Sequence, residues 1–496
     1  MKPAGYSFLV ENLNLKVLPN WHKSFIWDKT ILFNETENDT VIDYFPQKYL
    51  LDDKISTHLE FALRYDGINL NCLALIFAAI EENTIIDYII SKPTGKYARK
   101  LWFLYEFLTH KTLPISDLTK GNYVEILEPD KYYAVKNGIK INRQRIVNNL
   151  LGPVSFCPIV RKTDLLLEER ITELKTKCAN IINSYPPELL KKAVLYFHNK
   201  ETKSSFKIEN SSPDNARTAK FIGLLELADK KDFCTKELLI ELQNKIVDHR
   251  FRENDYRTNQ NYVGQSFIYQ QETIHYISPK PIDLPELMEG LILCSHKIKE
   301  GDILPLIAAT VIAYGFVYLH PFEDGNGRIH RFLVHNILAM QGFTPKEITL
   351  PISAVMLNDI NEYDNSLEVF SKPLLKQINY KYDKAGTIDV LNDTSVFYKY
   401  MDLTRQAEYL IQFATKTIEI DLLKELNFLS DFFNIKSNLQ NIVDMPDKLL
   451  DLFIHLCQQN NGKLSPKKRI SHFSFLTEDE VKEMEEAVSG FYFSKE

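Results

Sequence analysis

The chain is poor in residues that could staple it together. Six cysteines are spread over 496 residues, at positions 72, 157, 178, 234, 294 and 457, and no two form a C-x-x-C pair. That spacing argues against both a cysteine-rich zinc site and a disulfide framework, and points to a reducing, cytoplasmic setting with the cysteines as small hydrophobes. Charge of one sign is also scarce. Lys plus Arg number 59 and Asp plus Glu 66, a net −7, which argues against general nucleic-acid binding or attraction to anionic membranes. The N-terminus, MKPAGYSFLVENLNLK, lacks the apolar run of a secretory signal. Alternating β-type runs are few, and no solenoid-length repeat or extended low-complexity tract stands out. Long hydrophobic runs reduce to one, residues 303–319, ILPLIAATVIAYGFVYL. It falls short of the roughly 20 residues a bilayer span needs, and Pro305 and Gly315 interrupt it. We expect a helix buried in a bundle, and no membrane partner.

What the chain does have is helical periodicity. LLLEERITELKTKCANIINSY and ELLIELQNKIVDHRF repeat apolar residues at three- and four-residue spacing. The expected class is all-α, mainly helical, and the length calls for about two to four domains. The division expected is 1–180, an N-terminal accessory region, mostly helical; 181–385, a central domain; and 386–496, a C-terminal helical region, in which Thr477 and Glu480 form a capping-box pattern. Asp66-Gly67 reads as a turn or helix end.

Directly after the apolar run comes HPFEDGNGRIHR, residues 320–331. Gly325, Asn326 and Gly327 suit a tight turn rather than a helix interior, and RIHRFLVHNILAMQ continues as an amphipathic helix. A turn that opens a helix presents free backbone N–H groups, a ready anion site. Arg328 and Arg331, three apart, share a face beside it, and two guanidinium groups suit a di- or triphosphate. Asp324 could hold Mg²⁺ together with phosphate oxygens. Pro321 stops the preceding helix, Phe322 anchors the loop, and His320 is poised to take a proton from an attacking hydroxyl. His330 and His335 are five apart and do not share a helix face, so they do not read as a metal pair.

The stretch resembles the signature of the Fic family, HPFx[D/E]GNGRxxR, at every fixed position. The resemblance implies a Fic-type helical core with a small β-hairpin flap, and transfer of AMP from ATP to a Ser, Thr or Tyr hydroxyl of a target protein. It makes His320 the catalytic base and Asp324 the Mg²⁺ ligand, with Mn²⁺ as an alternative ion. Gly325, Asn326 and Gly327 hold the α-phosphate region, and Arg328 and Arg331 the β- and γ-phosphates. Glu323 falls at a variable position. In the Doc-type branch, which transfers phosphate, the second motif glycine is a lysine, so Gly327 favours AMP transfer. NYVGQSFIYQQETIHYISPKP resembles the family's flap, taken as 264–279, with Thr273, Ile274, His275, Tyr276 and Ile277 positioning a target strand. The preceding YRTNQNYVG resembles the lead-in of many Fic proteins. NEYDNSL resembles a helix closing the nucleotide end, with Tyr363 expected near the base.

One further stretch, KSSFKIENSSPDN, resembles the family's inhibitory motif [S/T]xxxE[G/N], with Ser205, Glu209 and Asn210 at its fixed positions and the helix placed at 203–212. It lies on the N-terminal side of the core, which implies a self-inhibited enzyme in which Glu209 pairs with Arg331 and Ser205 braces the helix. STHLE also fits S-x-x-x-E, but Phe61 follows it, so Glu60 reads as an ordinary helix charge. Alternatives are a bifunctional enzyme that also removes AMP, transfer of another phosphate-containing group, and a scaffold with a silent site. The partners expected are ATP and a protein acceptor; a homodimer is compatible with this.

Overall fold

The computed structural model describes residues 1–37, 40–266, 272–383 and 386–492. The chain is mainly helical, as expected, and its strands are short. The apolar run folds as the helix Pro305–Leu319, in which every residue after Pro305 is buried. A helix apolar all round must be covered all round, and Pro305 suits its first turn because its missing N–H would have had no partner there. Gly315 leaves room for a neighbour: a Cβ on it would lie 2.6 Å from the ring of Phe156. Among the described residues, no helix is long and apolar enough to cross a membrane.

This helix centres the largest core, which draws apolar residues from Tyr133 to Leu429. A second core spans Tyr6 to Ile159 and takes in Tyr400. A third joins residues from Ile435 to Val488. Apolar packing therefore does not stop at residue 180 or 385. The helix Leu422–Ile442 bridges two cores, with Leu422, Leu426 and Leu429 in the central one and Ile435 and Leu439 in the C-terminal one. The C-terminal helix Glu478–Tyr492 starts as its capping box requires. Thr477 N donates to Glu480 Oε2 at 2.7 Å, and Glu480 N donates to Thr477 Oγ1 at 3.2 Å.

The N-terminal region adds more sheet than its sequence suggests. Lys2–Ala4, His22–Ile26, Thr40–Phe45 and Phe33–Glu37 form a four-stranded sheet in that spatial order, and a three-stranded sheet lies between Val124 and Asn148. The strands are two to six residues long, too short for periodicity to declare them. Asp66-Gly67 does end a helical turn. The Asp66 carboxylate is buried there, accepting from Tyr6 N at 2.9 Å with His22 Nδ1 3.2 Å away.

Candidate active site

The motif begins where the buried helix stops. His320 takes the left-handed conformation, φ 48°, and its N–H still donates to Phe316 O at 3.0 Å. His320 Nδ1 lies 3.2 Å from Val317 O. A carbonyl can only accept, so Nδ1 carries the proton and Nε2 presents a lone pair. Burial pushes the imidazole down to about 4, and the charge of Arg257 acts in the same direction. His320 is therefore neutral at pH 7.

Phe322 is fully buried, as its anchoring role requires. Asn326 staples the loop on it: Oδ1 accepts from Phe322 N at 3.1 Å, and Nδ2 donates to Phe322 O at 2.6 Å. That commitment modifies the expected role of Asn326. With its side chain turned inward, it has only its backbone N–H to offer an anion. Gly325, at φ 97°, makes the turn, and the helix Asn326–Met340 begins immediately. The first N–H groups of that helix have no acceptor within it. Glu323 is exposed, and its N–H donates to Glu253 Oε1 at 3.0 Å.

Arg328 and Arg331 sit on the first turns of this helix, both buried. Arg328 Nη2 donates to Asp324 Oδ1 at 2.5 Å, and its guanidinium lies 5.3 Å from the centre of the Phe206 ring. Arg331 has four of its five N–H donors committed. It donates from Nε to Ser205 Oγ at 2.9 Å, from Nη2 to Ser205 O at 2.7 Å and to Glu209 Oε1 at 2.9 Å, and from Nη1 to Tyr363 OH at 3.1 Å. Tyr363 thus stands against Arg331, rather than beside the base as expected. Glu209 is the C-cap of the helix Pro187–Ile208, and Asn210 after it turns the chain with φ 50°. A Cβ on Gly327 would lie 2.1 Å from Glu209 Oε1. The acid therefore lies across the second motif glycine as well as on Arg331.

Two helices meet here in antiparallel steps of one turn. Glu201, Ser205 and Glu209 on one oppose His335, Arg331 and Gly327 on the other. The lowest rung is a buried Glu–His contact that sequence reasoning missed. Glu201 Oε1 lies 2.8 Å from His335 Nε2, with both side chains buried, and Glu201 Oε2 accepts from Ser353 N at 2.9 Å. Burial alone would raise the Glu201 carboxyl, but His335 and Ser353 hold it below the usual carboxylate range. The four-residue spacing of Glu201 and Ser205 was a signal in the sequence, yet it does not reveal a partner so distant in the chain. His330 is buried against the Tyr314 ring, 4.7 Å between centres, well separated in role from His335. Glu60, the acid of the second S-x-x-x-E match, pairs instead with Lys92.

The expected flap forms as the antiparallel pair Tyr262–Ser266 and Glu272–Ile277, with a register shift between Val263 and Gly264. Residues 267–271 of the expected segment lie outside the described residues. Thr273 is exposed, and Ile274 and His275 are partly so. Tyr276 and Ile277 are not available to a target. Tyr276 is buried and donates its hydroxyl to Tyr318 O; Ile277 is buried, and its carbonyl accepts from Tyr398 OH at 2.6 Å. Successive residues point to opposite faces of the strand, so both faces are covered at this end of the hairpin. A cavity of about 730 Å³ opens between hairpin, base and inhibitory helix, lined by Glu209, Val263, His275, His320, Asp364 and Leu367 among others. Its size suits a nucleotide-sized ligand.

Among the described residues, no group of three or more His, Cys, Asp or Glu could hold a metal. Asp324 is nonetheless compatible with Mg²⁺. It is a half-exposed carboxylate that accepts a bond from Arg328, and Mg²⁺ carried by a nucleotide needs only one or two protein carboxylates.

Comparison with known proteins shows what part of this chain resembles. Residues 233–338 match the family model of the Fic/DOC family. "Protein adenylyltransferase Fic" of Drosophila melanogaster is 31% identical over 121 residues, 24% of this chain and 22% of the relative. The protein of the same name from Culex quinquefasciatus is 32% identical over 121 residues, with the same coverage. The match thus spans about a fifth of the length of those relatives. A Fic domain containing signaling protein from Bacteroides thetaiotaomicron aligns with 52% of this chain and 96% of its own, at 19% identity and a TM-score of 0.39.

Proposed function

We propose that the chain is a protein adenylyltransferase held in check by Glu209. His320, neutral and with Nε2 free, accepts the proton of a target Ser, Thr or Tyr hydroxyl. The hydroxyl oxygen bonds to the α-phosphorus of ATP, the bond to the bridging oxygen between α and β breaks, and pyrophosphate leaves. The helix N-terminus at Gly325–Gly327 and the guanidinium groups of Arg328 and Arg331 hold the phosphates. Asp324 would hold Mg²⁺ (or Mn²⁺), which when bound neutralises phosphate charge. Thr273, Ile274 and His275 are the flap residues left to place the target strand.

The observation that carries the restrained state is the bond from Arg331 to Glu209. With its donors spent on Ser205, Glu209 and Tyr363, Arg331 has little left for a γ-phosphate. A cytoplasmic setting fits the six unpaired, buried cysteines, and a homodimer enters only as a means of releasing Glu209.

The test uses ATP labelled at either the α- or the γ-phosphate with wild type, Glu209→Gly and His320→Ala. The expected result is α-label on protein, increased by Glu209→Gly and abolished by His320→Ala. Transfer of γ-label overturns the AMP assignment, and equal labelling by wild type and Glu209→Gly overturns the brake.

A further inference from the structure

Arg257 lies in the lead-in stretch YRTNQNYVG, which carried no assigned role, yet it is buried against the loop that carries the base. Its guanidinium reaches three backbone carbonyls in three segments. Nε donates to His320 O at 2.8 Å, Nη1 to Asn259 O at 2.7 Å and Nη2 to Pro279 O at 2.7 Å. Its own N–H donates to Pro321 O at 2.9 Å. Pro279 follows the second hairpin strand, so one side chain joins the root of the hairpin to the residue that carries the imidazole.

Neighbouring contacts continue the strap. Asn261 Nδ2 donates to Phe322 O at 3.1 Å, Ser278 Oγ donates to Asn261 O at 2.8 Å, and the Tyr256 ring packs 5.9 Å from that of Phe322. His320 needs such support, because a non-glycine residue at φ 48° is held there only when its surroundings compensate. A planar fork can serve three divergent carbonyls at once; a lysine ammonium cannot.

We propose that Arg257 is a positioning residue that locks the backbone of His320 and couples its orientation to the hairpin, so that base and target strand are set in register by one side chain. The proposal rests on the AMP-transfer reading for its kinetic consequence. Arg257 touches no reacting atom. Its effect falls on the chemical step, where a small misplacement of the base costs rate, and not on nucleotide affinity, which Arg328 and Arg331 govern.

The experiment compares Arg257→Lys and Arg257→Ala with their parent, all in the Glu209→Gly background. Turnover is read with α-labelled ATP, and affinity with α,β-methylene-ATP by calorimetry. The expected result for Arg257→Lys is a drop in kcat of roughly 10- to 100-fold, with analogue affinity unchanged within about twofold. Added guanidinium ion restores part of the rate of Arg257→Ala. Unchanged kcat overturns the proposal, as does parallel loss of kcat, affinity and melting temperature in both variants, which would make Arg257 a general prop of the fold. If the parent transfers no AMP, the enzymatic reading fails separately. Hydrogen exchange then decides the coupling: Arg257→Lys should loosen residues 318–323 and the hairpin root while the helix Asn326–Met340 stays protected. Unaltered exchange at 318–323 overturns it.

Discussion

Glu201 and His335 meet 2.8 Å apart with both side chains buried, two helical turns below the point where Glu209 lies on Arg331. The brake is thus the free end of a helix whose body is pinned. Ser205 and Glu201 hold the shaft through buried bonds, whereas Glu209 sits on the last residue, partly exposed, beside a positive-φ asparagine. Release of Glu209 therefore calls for movement at 209–211, not departure of the helix.

Removing one partner of the buried pair leaves the other uncompensated. Glu201→Ala leaves the His335 ring and Ser353 N without their acceptor and should destabilise the protein by about 1–3 kcal/mol for each buried donor left unpaired, read as a lower denaturant midpoint, and should raise AMP transfer less than Glu209→Gly does. A midpoint within error of wild type would show that the pair does not anchor the helix.

Glu209→Gly removes a charge-assisted bond of about 1.5–3 kcal/mol from Arg331. If that bond sets the restraint, α-label transfer should rise by roughly 10- to 100-fold, and Glu209→Gln should fall between the two. A glutamine variant as fast as the glycine one would assign the restraint to charge rather than to the carboxylate lying over Gly327.

The pH profile follows from His320. Its folded value, about 4, lies below the ordinary 6.5, so between these values the unfolded chain binds the extra proton. The contribution of this group to stability is complete above about 6.5 and declines as pH falls toward 4. The acid limb of kcat/KM governed by the base should accordingly lie near pH 4. A limb centred near 6.5 in Glu209→Gly would show that the imidazole is not held neutral by burial.

Asn326→Ala takes away both bonds to the Phe322 backbone. The buried Phe322 N–H left unpaired should cost about 1–3 kcal/mol, while Phe322 O keeps its bond from Asn261 Nδ2, and transfer should fall with stability. Asn326→Ala with full stability and a selective loss of nucleotide affinity would return the side chain to the phosphate.

The two faces of the hairpin strand should behave differently. His275→Ala should raise KM for the target protein and leave thermal stability close to wild type. Tyr276→Phe, which removes the donor to Tyr318 O, should lower stability and leave KM alone. The reverse pattern would move target contact to Tyr276.

Much of the local chemistry was legible in the linear chain. The apolar run declared a buried helix, Gly325 a turn, and the three-residue spacing of Arg328 and Arg331 a shared face, because each depends on neighbours within a turn or two; Asn326 and Gly327, expected in the turn, already belong to the helix. S-x-x-x-E marked Glu209 and Ser205, though only by resemblance. Less legible were contacts whose partners lie far along the chain and whose residues carry no pattern of their own. Arg257 and Glu201 have no pattern in the sequence that singles them out, and Tyr276 reads there as a flap residue.

By itself, then, the sequence determined which groups could do phosphate chemistry and which helices would carry them, since backbone preference and side-chain spacing are local properties. Only the tertiary structure decided how those groups are occupied: that Arg331 is bonded to Ser205, Glu209 and Tyr363, that Asn326 faces inward, and that His320 is half-buried and neutral. Those outcomes depend on which surfaces exclude water from one another, and burial is settled by the assembled core rather than by any short stretch of chain.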